Sequence, residues 1–459
     1  MRKSADTEPE DADGLPRPQR AWALFAVWCA VTLSVLSLTS VSVALPVIAT
    51  SLQVEPAVAV WVINAFQLAL ISTLFPFSSL GEQWGYQRVF VSGILLIGAA
   101  SLACALSDSF AVLVVGRVAQ GLGASAVMAV NPALIRLSVP KARLGWAIGL
   151  NAMIVAVATA LGPSVAALVL SVSSWPWLFA LNLPWALMAL VVGAAVLPNY
   201  RAAQGRRFDR VGALLNVLMF VLVVPGIDAL ASRSWVGVPL VAAGVLCGVA
   251  LFAQQRRERT PLFPLDLLRI PVVRLSAGAS ACAFAAQMAA LVTVPFLLIN
   301  GFGRSMVDTG LIVMAWPVAV ALMAPIAAWW EERIASAYLC AIGGGLLGLS
   351  LLALAMLPGS VHDVWLGLTM ALCGIGFGCF QTPNNRTMIH ATPRERSGAA
   401  GGIQATARLI GQTLGTSVTG ISFHALNAEP TRAAALALVL AAGFALLSGV
   451  LSLRRHQAP

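Results

Sequence analysis

Residues 21–46 run AWALFAVWCAVTLSVLSLTSVSVALP, with no charged side chain over a stretch longer than the ~20 residues a helix needs to cross hydrocarbon. Stretches of the same kind recur at 59–80, 89–107, 111–135, 145–170, 177–197, 211–231, 235–253, 273–299, 309–329, 335–357, 364–383, 398–423 and 433–453, making fourteen with the first. Lipid offers no partner to an open backbone N–H or C=O, so each is expected to be a helix. Gly and Pro are frequent inside them, which membrane helices tolerate and use for close packing and bending. Composition points the same way. Of 459 residues, 59% are hydrophobic and 10% charged, and the mean hydropathy is +0.87. A soluble domain carries roughly a quarter charged residues. The expected class is an all-α polytopic membrane protein, which excludes a soluble enzyme, a nucleic-acid-binding domain and a secreted disulfide scaffold.

The formal charge of +10 is explained by topology. With the N-terminus inside and an even number of spans, 23 of the 28 Lys and Arg fall in inner tails and loops. Only Arg233, Arg304 and Arg432 fall outside, while Arg117 and Arg408 lie within spans. This is the asymmetry of the positive-inside rule, and shifting the spans by one would destroy it. Both termini are therefore expected in the cytoplasm, across a bacterial-type plasma (inner) membrane. No cleavable signal is read at the start, because residues 1–20 are polar and the next apolar stretch is span-length. The seven cysteines fall in or near apolar spans without a CxxC pair and read as small buried hydrophobes.

Weak internal repetition divides the chain. The hairpin Gly81–Arg88 (GEQWGYQR) follows the second span and Trp329–Ile334 (WWEERI) follows the tenth, each an acidic-then-basic turn on the inner face. Such repeats build many transporter folds. The expected organisation is a tail at 1–20, a six-helix bundle at 21–197, two linker helices with inner loops at 198–272, a second six-helix bundle at 273–453 and a tail at 454–459.

Other motifs stand in fixed order along the spans. The first span closes with Leu36–Pro46 (LSLTSVSVALP) and the fourth contains Gly116–Gly123 (GRVAQGLG). Asn151 and Ala160–Ala167 (ALGPSVAA) lie in the fifth, and Trp175–Pro184 (WPWLFALNLP) opens the sixth. Later come Gln381–Arg386 (QTPNNR), Pro393–Gly398 (PRERSG) and Arg408–Gly415 (RLIGQTLG). Together they resemble an exporter of the major facilitator superfamily, in the fourteen-helix drug:proton antiporter family. The group linked to methyl viologen and quaternary ammonium resistance is the most similar. The resemblance implies a major facilitator fold of two six-helix bundles plus two extra central helices.

It also implies roles. Glu82, Gly85 and Arg88 occupy the acidic, turn and basic positions of a gating loop, matched by Glu332 and Arg333 in the second half. The arginine that follows the acid in the family is Gln83 here. Arg117, Gln120 and Gly121 belong to an RxxQG motif that tunes proton movement or organises the cavity; a structural Arg held by backbone carbonyls is the competing reading. Gly162 and Pro163 form the core of an antiporter-like helix bend, with Ala166 and Ala167 where the family has glycines. Trp175 and Trp177 are expected as interface anchors. Ser37 stands where the family usually has an acid; it hydrogen-bonds but cannot titrate, which favours helix packing over contact with substrate. A neutral or weakly charged amphiphile then suits the cavity as well as a cation. Further wall candidates are Asn64, Gln67, Asn182, Gln287, Met288 and Trp316. Arg408, Gln412, Asn384 and Asn385 are candidates for its inner mouth, with packing between helices as the alternative.

No P-loop is present, the four histidines are scattered, and no carbonyl-filter motif appears, which argues against ATP drive, a metal site and a channel. Asp228 and Asp308 stand at span ends toward the outer side. The expected function is not enzymatic and needs no cofactor. It is export of small amphiphilic compounds, proton-coupled by resemblance, by a monomer that has lipid around it and no nucleic-acid partner. The alternatives are an uptake or metabolite permease of the same fold, or a non-transporting receptor or scaffold.

Overall fold

A run of ~20 apolar residues in lipid has one economical backbone, the helix, which satisfies every N–H and C=O internally. Each of the fourteen apolar runs accordingly becomes one long helix in the computed structural model, which describes residues 14–140, 143–200, 208–231, 234–255, 267–331, 333–392, 397–426 and 429–456. In chain order these are α1 Arg17–Ser51, α2 Pro56–Trp84, α3 Tyr86–Ala105, α4 Phe110–Ser138 and α5 Leu144–Val172. Then come α6 Trp177–Val196, α7 Arg210–Ala231, α8 Gly237–Gln255, α9 Pro271–Gly301 and α10 Met306–Trp330. The last four are α11 Ser336–Met356, α12 Asp363–His390, α13 Ser397–Ala425 and α14 Pro430–His456. Among the described residues, 13 helices are long and apolar enough to cross a membrane. The remaining one is α13, whose Gln404, Thr406, Arg408, Gln412, Thr413 and Thr416 dilute its apolar character.

The packing is a twofold repetition displaced by eight helices. α4 packs on α2 and α3 as α12 packs on α10 and α11, and α1 packs on α5 and α6 as α9 packs on α13 and α14. Glycines mark the equivalent crossings. A Cβ on Gly121 of α4 would strike the Phe66 carbonyl of α2, and one on Gly374 of α12 would strike the Trp316 carbonyl of α10. Gly123 lies against the Gly93 carbonyl, 2.6 Å from its would-be Cβ, as Gly376 lies against that of Gly343, at 2.8 Å. Small residues at these points let helix backbones approach, which is how membrane helices gain packing energy without a hydrophobic driving force.

Three placements complete the frame. The pair α7 and α8 is central in sequence but peripheral in space: only 22% and 11% of their apolar windows are buried. α7 still touches α2 and α13. The first and last helices run into the stretches read as tails. α1 begins at Arg17, Leu15 N–H donates to the Ser138 carbonyl at 3.2 Å, and α14 runs to His456. Trp175 is buried and donates to Ser51 Oγ at 3.1 Å, so of the two tryptophans only Trp177 is exposed as an anchor would be. All seven cysteines are free, five of them buried.

Candidate functional site

Between the two bundles lies a cavity of about 110 Å³. Ser34 and Thr39 of α1, Phe66 of α2, Thr159 and Pro163 of α5 form one wall. Gln287 of α9, Trp316 of α10, Phe377 and Gln381 of α12, Arg408 and Gln412 of α13 form the other. Phe377 stands 5.2 Å from Phe284 of α9 and 6.3 Å from Trp316, ring centre to ring centre. Pockets for drug-sized ligands hold roughly 300–1,000 Å³, so a large solute fits here only once the bundles part further.

The bundles touch toward the end opposite the two termini. Thr416 Oγ1 of α13 donates to Gln67 Oε1 of α2 at 3.2 Å. Gly310 of α10 abuts Ala167 of α5, and a Cβ on Gly420 of α13 would lie 3.8 Å from Val60 Cγ1. The same spot receives α7: Trp61 Nε1 donates to Asp228 Oδ2 at 3.0 Å, and Asp228 Oδ1 lies 3.8 Å from the would-be Cβ of Gly420. Deeper, Asn216 Nδ2 of α7 donates to the Ser72 carbonyl of α2 at 2.6 Å.

Arg117 sits behind the cavity wall, fully buried, its guanidinium 4.4 Å from the Phe66 ring centre. Nε donates to the Val62 carbonyl at 2.8 Å, and Nη1 donates to the Ser37 carbonyl at 3.0 Å and to Gln120 Oε1 at 2.8 Å. Gln120 Nε2 in turn donates to Ser101 Oγ at 2.7 Å. A lone cation in hydrocarbon is thus solvated by carbonyls of α1 and α2. Ser37 contributes its carbonyl; its hydroxyl is buried without a partner.

Several sequence-derived candidates stand off the cavity. Ser37, Arg117, Gln120, Gly121, Asn64, Asn182 and Met288 are buried and do not line the cavity, and Asn151 accepts from Asn131 Nδ2 at 3.3 Å. Asn384, expected at the inner mouth, instead accepts from Arg455 Nη1 at 2.8 Å, with Ser276 Oγ taking the same nitrogen at 2.9 Å. Arg455, which sequence assigns to a wetted tail, is 5% exposed. Arg408, Gln412, Gln287, Trp316 and Pro163 do line the cavity. Gly162, beside Pro163, lets α5 rest on Thr39 of α1.

At the terminus-bearing end, Gly85 makes the whole turn between α2 and α3 at φ 104°, a conformation that favours glycine. Its neighbours hold the end of α6: Tyr86 N–H donates to the Tyr200 carbonyl at 3.3 Å and Gln87 Nε2 to the Ala194 carbonyl at 2.8 Å. Glu82 is half-buried and Arg88 exposed. In the second half the guanidinium of Arg333 stacks 4.0 Å from the Trp329 ring centre. Glu332 lies outside the described residues, as do Arg394, Glu395 and Arg396. Among the described residues the acid engaged there is Glu331, which sequence reasoning passes over in favour of its neighbour. It pairs with Arg386 at 3.3 Å and accepts from Ser336 Oγ at 2.7 Å. Sequence reasoning also misses Phe284 and Phe377, because an aromatic in an apolar span carries no sign of which way it faces.

A family model described as Major Facilitator Superfamily matches residues 27–416. The chain is 42% identical to "Uncharacterized transporter YebQ" of Escherichia coli (strain K12), over 94% of this chain and 96% of that one. It is 31% identical to the "Tetracenomycin C resistance and export protein" of Streptomyces glaucescens, over 88% and 76%. In fold it is similar to a crystal structure of the peptide transporter POT in complex with sulfate, with a TM-score of 0.70 and 16% identity over 95% and 94%.

Proposed function

The chain belongs to the Major Facilitator Superfamily, and we propose that this multi-pass secondary transporter exports small amphiphilic compounds by proton-coupled antiport. The observation that carries the reading is a cavity walled by both bundles, with contacts between the bundles toward one end. Parting those contacts while closing the other end exposes the cavity alternately to the two sides, which is the rocking motion of inverted and parallel repeat transporters. The likeness to an export protein supports the outward direction. In this cycle the protein works as a monomer in the bacterial inner membrane with both termini cytoplasmic. Glu82, Gly85 and Arg88, with Glu332 and Arg333, gate the terminus-bearing end. Pro163 and Gly162 bend α5 at the cavity, while Arg117 with Gln120 and Gly121 fixes the frame of the first bundle.

Everted membrane vesicles test this. Energised vesicles carrying the protein are expected to accumulate a lipophilic fluorescent substrate, and a protonophore to abolish the accumulation. Accumulation of a nutrient only in right-side-out vesicles would replace export by uptake. Accumulation that survives a protonophore would remove the proton.

A further inference from the structure

Among the described residues, Arg408 is the one charged side chain on the central cavity wall, and no carboxylate lines the cavity. No ion-pair partner holds Arg408 among the described residues. Across the same wall Trp316 is 1% exposed, and its indole Nε1 has no hydrogen-bond partner. Guanidinium and indole N–H are donors only. The indole N–H, buried without an acceptor, carries a desolvation penalty, and the guanidinium on the cavity wall carries an unpaired charge; a solute that brings oxygen acceptors or negative charge relieves both. The amides Gln287, Gln381 and Gln412 serve either sign and do not decide the matter.

The apolar part of the wall specifies the rest. Phe284 stands edge-on to Phe377 at 79°, Trp316 is tilted beside it at 52°, and Phe66 faces them from the first bundle. Such a set stacks flat rings. A cation would gain cation–π attraction from these rings, yet it would face the Arg408 charge with no carboxylate on the cavity wall among the described residues. Like-charge repulsion in a poorly screened cavity exceeds what an aromatic face returns.

We propose that the transported compound is a flat aromatic organic anion. Its carboxylate, phenolate or sulfonate takes the donors of Arg408 and Trp316, and its rings lie against Phe284 and Phe377. The proposal rests on the central cavity being the transport site, and it concerns the charge of the cargo rather than the direction of its movement.

Two xanthene dyes of matched shape and opposite charge test it: fluorescein, an anion, and rhodamine 123, a cation. Binding is read by fluorescence anisotropy with the full-length protein in nanodiscs, and movement by flux in oriented vesicles. Fluorescein is expected to bind more tightly than rhodamine 123. Arg408→Gln is expected to weaken fluorescein about tenfold or more and Trp316→Phe about threefold, the effects of losing a charged and a neutral hydrogen bond. Arg408→Lys should keep most of the affinity and guards against a folding defect. Tighter binding of rhodamine 123, fluorescein binding indifferent to Arg408→Gln in monodisperse protein, or no binding of either dye overturns the proposal. Outward pumping of rhodamine 123 without fluorescein binding would sink the anion and leave export standing. Arg408-dependent fluorescein binding with inward flux alone would do the reverse.

Discussion

Arg117 has no carboxylate among its hydrogen-bond partners, and its charge is carried by two carbonyls, one amide and an aromatic face. Two of its bonds cross to other helices, and interhelical bonds in membranes contribute roughly 0.6–1.7 kcal/mol each. Arg117→Ala is therefore expected to lower stability by about 1–3 kcal/mol, read as a lower melting temperature in detergent. Lys, a single point donor, cannot reach the Val62 and Ser37 carbonyls in the fork geometry of Arg, so Arg117→Lys should fall nearer to Ala than to the native protein. Ser37→Ala is expected to be neutral or slightly stabilising, because it removes a buried hydroxyl that has no partner. A transport defect of Ser37→Ala in a stable protein would show that the hydroxyl works in the cycle. Sequence alone announces that a cation in an apolar span must find acceptors. It cannot say that Ser37 supplies them through its backbone, since that depends on how α1 crosses α4.

The helices themselves are legible because lipid leaves an apolar run no other backbone. Their faces are not. An apolar stripe repeating every 3.6 residues separates core from water, but a helix between protein and lipid is apolar all round, so neither the inward turn of Phe377 nor the burial of Trp175 leaves a periodic trace. Arg455 escapes sequence reading for a related reason: at a helix end the same residue type serves as a wetted charge or, when Ser276 and Asn384 converge on it, as a buried clamp of α9, α12 and α14. The crossing glycines give the sharpest prediction about packing. Gly121→Ala and Gly374→Ala each drive a methyl into the carbonyl of a neighbouring helix, which is backbone and moves only with the helix. Each is expected to lose about 1–3 kcal/mol, the usual cost of overpacking, with reduced yield of folded protein. Gly345→Ala and Gly443→Ala, at glycines with nothing within 4 Å, should be harmless controls. Loss of fold in the controls as well would shift the cause from contact to helix insertion.

Two bundles that touch toward one end and share a cavity are the two moving parts of the proposed cycle, and the energy that drives such a cycle depends on the charge of the cargo. An anion leaving a cell with a negative interior moves down the potential, by about 2.3 kcal/mol per charge at 100 mV. Export of an anion therefore has a driving force even where the acid usual in the first span is Ser37. The shape change is testable without knowing the cargo. Gly420 and Val60 face each other across the bundles, with the would-be Cβ of Gly420 3.8 Å from Val60 Cγ1. A cysteine sulfur at 60 takes a γ position like that of Val60 Cγ1, beside the Cβ of a cysteine at 420, and disulfide closure then draws the two Cβ atoms to about 3.5–4.5 Å apart. The double substitution Val60→Cys with Gly420→Cys should oxidise readily and hold the bundles together at that end, whereas either cysteine alone should not. If transport requires those contacts to part, the oxidised double variant loses flux and a reductant restores it, while cargo binding from the terminus-bearing side persists. Undiminished flux in a quantitatively cross-linked protein would mean that the bundles do not separate there, and that the cavity opens by bending within single helices instead.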